Sequence, residues 1–64
     1  MNSKIRFTTW CDGFFFAISI GLVPDDDSAP EISEWFFTFD DEIDADAFES
    51  LMKEKNIPYG KSLL

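Results

Sequence analysis

The residues of this chain best equipped for chemistry are its carboxylates. Eleven acidic residues lie between Asp25 and Glu49, and no Lys or Arg interrupts them. All five basic residues, Lys4, Arg6, Lys53, Lys55 and Lys61, fall outside that stretch. Carboxylates at this density can act as a general acid–base pair, hold a hard cation, or present negative charge to a partner. Acid–base catalysis needs one carboxyl buried enough to raise its pKa. It also needs a pocket for substrate, and 64 residues enclose little of one. The chain has no His to serve as a base or metal ligand. Cys11, the one candidate nucleophile, has no cation close by to lower its pKa and reads as a small core residue.

Cation binding fares no better. Asp25-Asp26-Asp27 and the acids after Phe39 supply oxygen ligands of the kind Ca²⁺ and Mg²⁺ prefer, but an EF-hand loop also needs Gly at its sixth position and Glu at its twelfth. Counted from Asp40 those positions are Ala45 and Leu51, and counted from Asp25 they are Pro30 and Phe36. No catalytic residue, metal or cofactor is assigned.

Display of charge remains. On a helix, Glu42, Asp46 and Glu49 fall at i, i+4 and i+7 and line one face, with Asp40, Asp41 and Asp44 beside them. Asp25, Asp26 and Asp27 stand in support. Capping and the helix dipole give a local reason for about half of the acids from Asp40 to Glu49, and like charges at neighbour spacing repel by a few tenths of a kcal/mol. The remainder suit a partner protein with a basic, nucleic-acid-binding groove, in which carboxylates stand in for phosphates. The expected function is a small acidic inhibitor or modulator, of the type that phages and mobile elements encode against host nucleases or transcription machinery. The competing reading is a solvated face that keeps an aromatic-rich protein in solution. Direct binding to nucleic acid is disfavoured, because stacking platforms work with a positive groove and this chain carries a net charge of −8.

These side chains need a scaffold. Residues 1–64 are expected to form one domain, small enough that it hides only about 60% of its unfolded surface. Aromatic residues make up 17% of it and hydrophobic residues 45%, which argues against disorder. Asp12-Gly13 is a two-residue turn signal, so residues 4–22 read as a β-hairpin in which Cys11 faces Phe14 and Trp10 faces Phe15. Residues 23–33 read as a loop and 34–39 as a third strand, with Trp35, Phe37 and Phe39 turned to the core. Residues 41–54 read as a helix capped by Asp40 or Asp41 and closed at Asn56-Ile57-Pro58, with an apolar stripe of Ile43, Ala47, Phe48, Leu51 and Met52. Residues 57–63 are harder to read: Pro58 and Gly60 argue against a central strand, and a short edge strand is the strand role left open to them. The fold class is therefore α+β, a small three- to four-stranded antiparallel sheet with one amphipathic helix packed on one face, in the order β-β-β-α-(β).

In that arrangement Trp10, Phe15 and Phe36 share the outer sheet face. An exposed aromatic patch marks a contact surface, which gives a second expectation: an assembly module that pairs with itself as a dimer or with another chain. The longest apolar run, Phe14 to Val23, spans ten residues, well short of the ~20 a membrane helix needs. Asp12-Gly13 before it and Pro24-Asp25-Asp26-Asp27 after it do not fit a signal peptide. A single Cys fits a reducing compartment, and the expected location is the cytoplasm.

Overall fold

The computed structural model describes residues 4–64. Three strands, β1 (Ile5–Thr9), β2 (Trp35–Phe39) and β3 (Tyr59–Leu63), form one antiparallel sheet in the order β2-β1-β3, and two helices, α1 (Cys11–Ser19) and α2 (Glu42–Glu54), pack with them. The α+β class is as the sequence implies, and Tyr59–Leu63 takes the edge-strand role that the sequence left open. A single-turn 3₁₀ segment, Pro30–Ile32, lies within the long connection between α1 and β2.

β1 is the central strand, with Phe7 opposite Phe37 on one side and Lys61 on the other. Its alternation is legible in the burial. Ile5, Phe7 and Thr9 are buried against the helices, while Arg6 and Thr8 face the other way. Phe7 is the hub of the core, meeting Phe39, Phe48 and Tyr59 edge-on at ring-centroid distances of 5.6, 5.1 and 5.8 Å. Each such aromatic pair adds about 0.5–1.5 kcal/mol beyond the area it hides.

The expected hairpin over residues 4–22 does not form. Its second half is α1, and the Asp12-Gly13 turn is replaced by the first turn of that helix. The Phe14 amide donates to the Trp10 carbonyl at 2.8 Å, and Asp12 stands near the positive end of the dipole. The physical reason lies in Gly13 and Ala17, four residues apart and both buried. Together they make a flat, small-residue face that lets α1 settle directly onto Thr9 of β1. Phe14 and Phe16 flank that face, stacking on Trp35 and on Phe48 at 4.1 and 6.2 Å. Gly21 closes the helix with a positive φ of 89°, while the amides of Gly21 and Leu22 donate to the carbonyls of Ile18 and Ala17, the Schellman pattern. Cys11, expected in the core, is exposed because it sits on the side of α1 away from Gly13.

α2 starts as its sequence implies. Asp41 caps it, its Oδ1 accepting from the Ile43 amide at 2.8 Å. Asn56, at φ 57°, ends it, with the Ile57 amide donating to the Met52 carbonyl at 2.9 Å. The buried stripe is rotated from the expected one. Ala45, Phe48 and Met52 are buried, whereas Ile43 and Leu51 are exposed and Ala47 turns outward with them. Both helices pack on the Phe7 face of the sheet. Among the described residues, no helix is long and apolar enough to cross a membrane.

Candidate acidic interface

The sheet face opposite the helices organises the first group of acids. Arg6 projects from β1 and lies over the Phe36 ring at 5.1 Å. Its Nη1 donates to Asp27 Oδ2 at 3.0 Å, and its Nη2 stands 3.5 Å from Asp25 Oδ2. Thr38 Oγ1 accepts from Arg6 Nε at 3.4 Å and donates its own proton to Asp25. The Asp25 amide donates to the Phe36 carbonyl at 2.7 Å, and Ser28 Oγ accepts from the Phe36 amide at 2.9 Å. The loop over residues 23–33 is thus laced along the free edge of β2. Asp25 and Asp27 pair with Arg6, which leaves Asp26 as the exposed member of the triplet without an ion pair among the described residues.

The second group lies on α2, which packs on the other sheet face, so the two acid groups expected to support each other are separated by the sheet. Within α2 the carboxylates differ in role. Glu49 is half-buried and bridges to the edge strand, where Tyr59 Oη donates to its Oε2 at 2.7 Å and Lys61 Nζ to its Oε1 at 2.9 Å. The hydrogen bond from Tyr59, followed by that from Lys61, holds the Glu49 carboxyl below the usual carboxylate range. The same bonds raise Tyr59 and Lys61, and the charges of Asp46 and Glu42 further favour the Lys61 ammonium. Glu49 therefore belongs to the structure of the fold rather than to a free acidic line.

Asp40 pairs with Lys4 across 3.6 Å in full solvent, a contact of small energetic weight. Asp41 is the cap. Glu42, Asp44 and Asp46 are exposed and have no ion pair or side-chain hydrogen bond among the described residues. Glu42 and Asp46, one turn apart, share a face of α2, while Asp44 projects from nearly the opposite side of the helix. Ile43 stands among them with 77% of its surface exposed. Sequence reasoning assigned Ile43 to the core. Its signal was its place beside the cap, ahead of the Ala45-Phe48-Met52 repeat that does face inward.

The aromatic patch does not form as a sheet face. Phe36 is on that face but lies half-buried beneath Arg6. Trp10 precedes α1 and is 39% exposed, and Phe15 projects outward from α1 itself, 67% exposed. The hairpin that was to pair Trp10 with Phe15 is absent, and with it the shared face. No group of three or more Cys, Asp or Glu residues among those described is arranged to hold a metal ion. Comparison with protein-family models, with curated proteins and with solved structures finds no match to this chain.

Proposed function

We propose that this protein is an acidic binding module that acts by occupying the basic, nucleic-acid-contacting surface of a partner protein. The observation that carries the reading is the start of α2, where Glu42, Asp44 and Asp46 stand exposed and without an ion pair or side-chain hydrogen bond among the described residues. Asp40 and Asp41 extend that surface, and Asp26 lies apart from it across the sheet. The module works by occupancy, with no chemical step. A reducing cytoplasm is the setting that keeps an exposed Cys11 thiol free.

The test separates charge from folding. The triple variant Glu42→Gln, Asp44→Asn, Asp46→Asn leaves the Asp41 cap, Glu49 and the Arg6 cluster intact. Captured from cells on the unaltered chain, the partner should be retained at ~0.1 M salt and lost near ~0.5 M, where the screening length falls to a few Å. The triple variant should not capture it, and the isolated partner should release nucleic acid when the unaltered chain is added. Capture insensitive to salt, or a partner whose nucleic-acid binding is undisturbed, would overturn the reading.

A further inference from the structure

We infer that the outward face of α1 is where two copies of this chain associate. Apart from Asp12 and Ser19, every residue of α1 is apolar. Gly13 and Ala17 face the sheet, Phe14 and Phe16 fill the flanks against Trp35 and Phe48, and Cys11, Phe15 and Ile18 project outward at i, i+4 and i+7. Phe15 is 67% and Ile18 43% exposed, and Ile20 and Val23, just past the helix, are 48% and 81% exposed. A surface helix ordinarily carries polar residues on its outer side, and one that is apolar all round is a buried helix.

Charge selects the occupant. No residue from Gly13 to Pro24 is charged, on a chain whose net charge is −8. A basic partner is drawn to the acids of α2, not to this neutral strip. Two copies repel wherever carboxylates meet, and on the outer side of α1 Asp12 is the one carboxylate, at the first turn, so that an antiparallel pairing of the two helices sets the Asp12 residues at opposite ends. An isologous contact also needs no second complementary surface, since each copy supplies the apolar cover the other lacks. Covering these side chains in both copies hides on the order of 1,000 Å², at the low end for a specific contact. A contact of that size belongs with weak, transient associations.

Sedimentation of the full chain in reductant, from about 1 to 300 μM, reads the equilibrium directly. The unaltered chain should pass from monomer to dimer. Phe15→Asp and Ile18→Glu, both at exposed positions, should each weaken association tenfold or more. Raising salt from ~0.05 to ~0.5 M should strengthen the dimer by screening the repulsion between the copies, opposite in sign to the partner binding proposed above. That opposition keeps failure of one proposal distinct from failure of the other. Cys11 supplies a readout that needs no variant, because its alkylation should slow as the unaltered chain is concentrated. A monomer throughout the range, a dimer weakened by salt or indifferent to both substitutions, or a Cys11 rate independent of concentration would each overturn the inference.

Discussion

Replacing Gly13 with Ala probes α1 where it comes closest to the sheet. An added Cβ would lie 2.8 Å from Thr9 Cβ, 3.1 Å from Thr9 Cγ2 and 3.0 Å from Met52 Cε. Two effects oppose each other. Relieving a helix of its glycine gains about 1 kcal/mol where the added methyl is free, whereas forcing a methyl into a closed core costs about 1–3 kcal/mol. Met52 Cε ends a flexible side chain and can yield. Thr9 Cβ cannot, because β1 is paired on both sides and Thr9 is wholly buried. The immobile neighbour decides the sign. Gly13→Ala should cost a net ~1 kcal/mol, a fall of about 4–8 °C in Tm for a domain of this size. Thermal unfolding followed by far-UV circular dichroism measures it. Asp12→Ala is the control. On the exposed first turn it forfeits only a dipole interaction of about 0.3–1 kcal/mol. In a hairpin turn of the Asp-Gly type, both positions would need positive φ and both substitutions would be costly. A rise in Tm for Gly13→Ala would refute the close approach to Thr9, and equal large losses for the two variants would refute the helix.

Glu49→Gln should lower stability by about 0.5–1 kcal/mol at neutral pH, the range for a partly exposed charge-assisted contact. Because the folded Glu49 carboxyl is held below its ordinary value, this stability is whole above the usual carboxylate range and is lost as pH falls through the lowered value. Urea unfolding should therefore show the gap between the two chains at pH 7 narrowing as the solution is acidified below the usual carboxylate range, and a gap independent of pH would contradict the role assigned to Glu49. Arg6→Ala should cost about 1–2 kcal/mol by leaving the half-buried Asp25 carboxylate with Thr38 as its remaining side-chain partner. Hydrogen exchange at the Asp25 amide, bonded to the Phe36 carbonyl, should accelerate in that variant, and an unchanged rate would show that Arg6 does not hold the loop.

What could be read from the sequence was what is local and periodic. Ile5, Phe7 and Thr9 alternate cleanly, and Asp41 and Asn56 bracket α2 with chemistry specific to helix ends. The run from Phe14 to Phe16 has no period of its own, so the adjacent Asp-Gly pair weighed toward a turn. The contrary signals were Gly13 and Ala17 at helical spacing and Gly21 as a stop. For the acids, type and density were legible but partnership was not. Asp27 and Glu49 find their cations 21 and 12 residues away along the chain, and only the sheet order brings those together.

That pairing is what turns a diffuse charge run into two surfaces of different character. Arg6 and Lys61 sit where the chain must hold acids against the sheet, at Asp25, Asp27 and Glu49. Lys55 is drawn to the Phe16 ring at 5.3 Å rather than to a carboxylate. The start of α2 is left charged and the outer side of α1 is left neutral. If both proposals hold, the two surfaces are thermodynamically linked. A basic partner seated on α2 reduces the repulsion that opposes pairing through α1. By reciprocity, pairing must then tighten the partner by the same factor. Partner titrations of the unaltered chain and of Phe15→Asp, compared above and below the dimerisation midpoint, should differ only above it. Identical titrations at all concentrations would mean the two surfaces act independently.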